Sequence, residues 1–439
     1  MKQSVRAGIA AATAVLAVAP IAAAAPPEWS RTATQAMPAA GEFSVEDVAA
    51  ANDFAATAGL GADTANGRVP AVIERSGTGP TWGQPIRLGE ASRLDFGPLV
   101  ARNGRGDAVA VWGAVGGKLS AAVRFGGSWG RAVDTGIKVP GLRNGSADDA
   151  LKVAMGADRR ARIGVLACSG GACTLTVAAT VPRTARWAVA GTVKTPRGGG
   201  SSTGWALGSG GNAVIAWRTG RRVNAAQMGP RDKAFSAPLR VPSGDATGRL
   251  AVDAGAVGES AIGWTTAGGG VGVSVRLRAD LGWRTPRRVA RPAGAGEPRV
   301  GVACEGSIAA GWVEPGTPKV LVKGATAQGT DGLFTETTEV GTYGDETKAL
   351  RMAGAGVLGK TGVAYLGWAR AEGQGAGGGS RLAGDRNKNG WRGQNHDGFF
   401  REGPPPAFAP DGTGVIVGTE DAGLRFQEFT PGDAIIRCP

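Results

Sequence analysis

Thr342 to Glu346 reads TYGDE and sets Tyr343 beside Asp345 and Glu346. A glycan-cleaving site needs two carboxyl groups held about 5 Å or about 6.5–9.5 Å apart, according to mechanism. Tyr343 with Glu346 is the candidate catalytic pair for that chemistry. Nucleophilic hydrolysis needs a base, usually histidine. The single histidine, His396, stands in the polar stretch GQNHDG, and no G-x-S-x-G elbow is present. DRNKNG, Asp385 to Gly390, offers the opening of a calcium loop, with oxygens on Asp385, Asn387 and Asn389 and glycine sixth. Its twelfth position is His396, where a bidentate glutamate belongs, and Arg386 and Lys388 add positive charge. The segment reads as a polar hairpin before it reads as a metal site. RGD at 105–107 sits in a recurring turn, which makes Asp107 structural first. The residues favour binding over catalysis.

Four cysteines carry redox chemistry: Cys168, Cys173, Cys304 and Cys438. An even count suits an oxidising compartment. Cys168 and Cys173 bracket SGGA and can staple a hairpin turn. Cys304 and Cys438 are then the long-range pair. A metal reading of CSGGAC lacks a second pair of ligands.

Residues 1–25 read as a signal peptide. Lys2 and Arg6 precede an apolar core at 8–21 and a run of small residues at 22–25. A secreted chain without a further membrane-spanning segment is expected. The formal charge is +13, or +11 once Lys2 and Arg6 leave with the signal. The arginines are scattered rather than grouped in a stripe, which reads first as a solubilising surface. The functional reading is attraction to an anionic partner such as an acidic glycan, a cell-wall polymer, a lipid headgroup or a protein. Export argues against nucleic acid.

These residues must be held by a scaffold, and the chain writes one repeatedly. GDAVAVW at 106–112 returns as GNAVIAW at 211–217 and EGSIAAGW at 305–312. The anchoring tryptophans, Trp112, Trp217, Trp264, Trp312 and Trp368, stand 105, 47, 48 and 56 residues apart. The double step hides a unit at ARIGVLAC, which puts Cys168 in the tryptophan column, and a last unit ends with Gly418 in it. A later aromatic column holds Trp82, Trp129, Trp187, Phe235, Trp283, Phe334 and Trp391. Glycine, 76 of 439 residues, supplies the turns between short strands. Units of about 50 residues with four short strands cannot bury a face alone and must stack on copies of themselves.

The expected fold is all-β: a seven-bladed β-propeller over 68–439, with six or eight blades as alternatives. Arg68 to Leu88 and the segment after Pro404 would share the closing blade, leaving LRFQEF at 424–429 as a surplus strand. Residues 26–67 are expected to be a linker with one short helix. Ser44 and Asp47 make a capping box there, and EDVAAANDFAAT is helix-competent.

The units GNAVIAW, WGQP at 82–85 and WRTP at 283–286 resemble the glycine- and alanine-rich β-propeller repeats of secreted actinobacterial proteins, over about residues 68–428. The wider shape is similar to sialidase-like, Asp-box propellers. ADLGW at 279–283 keeps Asp280, Gly282 and Trp283 of that box at the wrong spacing, and FGGSWG at 125–130 has no aspartate. Inter-blade loops around a propeller's central opening make a shallow cup, so a secreted, non-catalytic recognition propeller for an extracellular ligand is expected. A sialidase-like glycoside hydrolase or lyase and a structural envelope protein are the alternatives. Contacts are expected where the repeat breaks: LRNGSADD at 142–149, residues 341–348, and the basic hairpin 385–396.

Overall fold

The structure, a computed structural model, describes the chain between Glu28 and Thr430. It excludes 30–32, 37–42, 52–54, 66, 78–80, 91–93, 115, 140–149, 200–201, 256–257, 278–280, 289–295, 303–306, 315–319, 328–337, 344–349, 358–362, 371–375, 383–391, 396–406, 410–412 and 421–422. The described strands form eight antiparallel sheets of four or five strands. Seven of the eight are meanders of consecutive strands. They run from Phe43 to Arg87, Leu94 to Lys138, Leu151 to Lys194, Thr203 to Val241, Ala246 to Arg288, Arg299 to Tyr343 and Leu350 to Asn395. We number them blades 1 to 7. Blade 8 joins both chain ends. Its strands Ala407–Phe408, Gly414–Glu420 and Gly423–Thr430 are completed by Glu28–Trp29 and Ala33–Ala36, which both pair with Gly423–Thr430.

Three expectations change. The described strands make eight blades, the alternative to the expected seven. Arg68 to Leu88 belongs to a complete blade 1, whose first two strands are Phe43–Ala50 and Ala56–Thr64. The expected helix is that hairpin. Alanine allows a helix, but a helix buries only one stripe. The hairpin instead buries Val45, Val48, Ala56, Ala58 and Leu60 against Val415, Val417, Leu424 and Phe426 of blade 8. Ser44 caps nothing helical: its hydroxyl donates to Glu46 at 2.5 Å. LRFQEF is not surplus; it is the third strand of blade 8, and the N-terminal strands cover its outer edge.

The core lies between blades, because each twisted sheet has two apolar faces to cover. Trp112 of blade 2 packs on Val72 and Leu88 of blade 1. Trp217 of blade 4 packs on Leu175 and Val177 of blade 3. Trp264 and Trp312 fill the corresponding wedges between blades 4 and 5 and blades 5 and 6. In blade 3 that column holds Val165, not Cys168. A turn bond opens the second strand in both blades, Gly156 N–H to Arg160 O and Gly208 N–H to Asn212 O. Val165 and Trp217 each stand five residues beyond it. Val165 packs with Leu99 and Val111 of blade 2. Gly418, five residues past the equivalent Ala409–Thr413 bond, keeps the column position expected of it.

Inner strands are pinned to one another by side chains reaching the next blade's backbone. The Val100 amide donates to Asp47 at 2.8 Å, and the Val302 amide to Asp253 at 2.9 Å. Lys152 donates to the Trp205 carbonyl at 3.1 Å. Gly204 permits the close approach of blades 4 and 5: a Cβ there would lie 2.2 Å from the Leu250 carbonyl oxygen.

Candidate functional site

Turns between second and third strands share one edge of the molecule with the linkers that leave each fourth strand. The register places them there: Cys168 opposes Cys173 beside the tip of blade 3, and Thr174, next in line, opposes Lys194 at the end of the fourth strand. In blade 4, Thr219 opposes Arg222 at the tip, and Asn224 opposes Arg240.

Three depressions of about 740, 640 and 500 Å³ lie along this edge. The first two share Thr219 and Asn224, and the last two share Arg240 and Gly244. They form one groove from the blade 3 tip across blade 4 to Pro286 of blade 5. Five cations line it: Lys194, Arg197, Arg221, Arg222 and Arg240. All five are exposed. None makes a side-chain hydrogen bond or ion pair with another described residue. Among the described residues, no aspartate or glutamate lines the groove. Trp217 forms part of its inner wall, and Thr195, Thr219 and Asn224 add neutral polar groups.

The backbone that carries the cations is held from beneath. In blade 3 the Cys173 amide donates to the Thr195 hydroxyl at 2.8 Å, and the Thr195 amide donates to the Cys173 carbonyl at 2.8 Å. In blade 4 the Val223 amide donates to the Ser243 hydroxyl at 3.2 Å. In these two blades a hydroxyl one or two residues past the fourth strand thus ties the linker to the third strand.

Elsewhere described arginines are committed to the fold. Arg159 makes a two-pronged bond to the buried Asp107 at 2.9 and 2.7 Å. The aspartate of RGD is therefore an inter-blade pin, as its recurring turn suggested. Arg162 is buried against Asp158 of its own blade and the Pro230 carbonyl of blade 4. Burial pushes the Asp158 carboxyl up, but the hydrogen bond and charge of Arg162 outweigh it and hold the group below its ordinary value.

Cys168 and Cys173 form the expected disulfide. Cys304 and Cys438 lie outside the described residues. So do Glu346, Asp385, Asn387, Asn389 and His396. Tyr343 closes the fourth strand of blade 6. Of the candidate pair Tyr343 and Glu346, only Tyr343 is among the described residues. Most of 142–149, 341–348 and 385–396 also falls outside the described residues. Among those described, no group of three or more His, Cys, Asp or Glu side chains could hold a metal ion. No described helix is long and apolar enough to cross a membrane.

The groove residues were not singled out from sequence, because Lys194 and Arg240 stand on different blades, 46 positions apart. The available signal was positional: KTPR follows one fourth strand and GRR fills the next tip. Both are cationic insertions at the same edge of neighbouring repeats.

No protein-family model matches the chain, and no curated protein matches it. Solved structures do. The Dos1 propeller aligns over 94% of this chain and 96% of its own, at 12% identity and a TM-score of 0.48. A mutant Aleuria aurantia lectin in complex with Fucalpha1-6GlcNAc aligns over 71% of this chain and 98% of its own, at 13% identity and a TM-score of 0.36. AofleA from Arthrobotrys oligospora aligns over 72% and 90%, at 10% identity and a TM-score of 0.36. Likenesses at this level transfer neither ligand nor site.

Proposed function

We propose that this chain is a secreted recognition propeller whose groove across blades 3 to 5 binds an anionic glycan polymer. The observation that carries the reading is the set of five exposed cations along the groove, with no side-chain partner and no lining carboxylate among the described residues. A surface that only needed solubility would intersperse both signs. Cations gathered in a concavity raise the local potential for an anion. The neutral polar groups of Thr219 and Asn224 beside the cations suit a sugar's hydroxyls. The described lining supplies charge and hydrogen bonds, which suits binding. Secretion is supported by the signal-like residues 1–25 and by a disulfide at the groove's end.

The test is binding of the chain from residue 26 onward to dextran sulfate, a polyuronate and a polyol-phosphate wall polymer at low salt. Binding to at least one is expected. Arg221→Ala/Arg222→Ala/Arg240→Ala should weaken it roughly tenfold or more, at about 0.5–1 kcal/mol per charge contact, with an unchanged melting temperature. No binding to any of the three, or equal binding by the variant, overturns the reading.

A further inference from the structure

The hairpin at the head of the groove departs from its neighbour. Counted from the equivalent positions Val165 and Trp217, each arm of the blade 3 hairpin runs two residues farther before the turn than in blade 4. The extra length carries Cys168 and Cys173, directly opposed in register. The turn beyond them is Gly170-Gly171, both at positive φ, 57° and 76°, which suits a two-residue hairpin turn. Residues 168–171 are exposed, so little burial holds the outgoing arm.

That extension supports the groove's first cations. Cys173 exchanges two hydrogen bonds with Thr195, and the Gly198 amide donates to the Gly171 carbonyl at 2.9 Å. Lys194 and Arg197 lie between or beside these anchors, and both line the first depression with Ser169, Gly170 and Ala172. A cross-link closing so short a loop removes little entropy from the unfolded chain. Its effect is local.

We propose that the Cys168–Cys173 disulfide positions Lys194 and Arg197, and that its reduction weakens the groove's hold on a polyanion. This rests on reading the groove as an anion-binding surface. Cys168 is exposed and Cys173 buried, so a thiolate from solvent attacks at Cys168 and the Cys173 thiolate leaves. A dithiol reductant supplies two electrons and two protons, and itself closes to a cyclic disulfide.

The experiment uses the chain from residue 26 onward, dextran sulfate as probe, and Cys168→Ser/Cys173→Ser to separate this bridge from any other that dithiothreitol reduces. The double variant and the reduced protein should each bind roughly five- to tenfold more weakly, the share of two charge contacts. Lys194→Ala/Arg197→Ala should cost as much in the oxidised protein and nothing further in the double-serine background. A cross-link that merely stabilised the fold would make those losses additive, and additivity overturns the proposal. Amide hydrogen exchange at Cys173, Thr195 and Gly198 should quicken when the bridge is absent. Unchanged exchange overturns it whatever the binding shows. If the oxidised protein ignores dextran sulfate, the anion-binding reading of the groove fails for this probe, while exchange still decides whether the bridge holds the segment.

Discussion

Two aspartates show how single residues serve this fold with opposite electrostatic signs. Burial pushes the Asp253 carboxyl up, against the pull of the Val302 amide, Lys152 and the Ala254 amide. Its folded pKa lies above the ordinary 3.8. The stability it contributes is therefore full below about 4 and is lost as pH rises through the folded value. Asp253→Asn keeps an acceptor for Val302 without the charge. It should raise the melting temperature at pH 7, by about 1 kcal/mol of stability, and leave it unchanged near pH 3. Asp158 is the reverse case, since Arg162 holds its carboxyl below 3.8. That contribution is present above about 4 and is lost as pH falls through the folded value. Asp158→Asn should cost about 1 kcal/mol at pH 7 and little near pH 2. Thermal unfolding of both variants across this range checks the pair, and shifts of the same sign would contradict the assignment.

At the scale of elements, the decisive piece is the pair of N-terminal strands. They cover the outer edge of blade 8, and an uncovered edge is a template for pairing with other chains. Gln35 clasps blade 1 from there: its amide donates to the Trp82 carbonyl at 2.8 Å and accepts the Trp82 amide at 2.7 Å. Arg75 of blade 1 pairs with Glu428 of blade 8 and lies over Phe426 at 5.7 Å. Deleting residues 26–36 should lower the melting temperature and produce concentration-dependent association by light scattering. Gln35→Ala alone should cost about 1–3 kcal/mol, because it strands the buried Trp82 backbone. A truncated chain that stays monomeric with unchanged melting would show that closure does not depend on these strands. The Ala-rich segment beside them illustrates why element type was misread locally. Propensity speaks for a helix, but pairing of Ala49 with Thr57 and burial against blade 8 outweigh a few tenths of a kcal/mol per residue.

For the whole molecule, charge matters by where it gathers rather than by its total. A net +13 spread evenly would give weak, unspecific attraction. Five cations in one groove give a contact of countable size. Binding of a polyanion there should release counterions, so that log affinity falls linearly with log salt. With five contacts and a slope of about −0.7 per charge, the limit is about −3.5. The Arg221, Arg222 and Arg240 triple variant should flatten the slope toward about −1.4. A salt-independent affinity would contradict a groove that works by charge. The repeat, its period and the turn chemistry were legible in sequence, since hydrophobic alternation and glycine act locally. So were the Cys168–Cys173 staple and the structural role of Asp107, because both lie within or beside one hairpin. A closing blade shared by early and late strands was legible too, but the blade number, and that Glu28–Trp29 and Ala33–Ala36 are the early strands, were decided only in three dimensions. The groove was decided there too. Its cations belong to different blades, and stacking antiparallel meanders with one register brings their tips and linkers to a common edge.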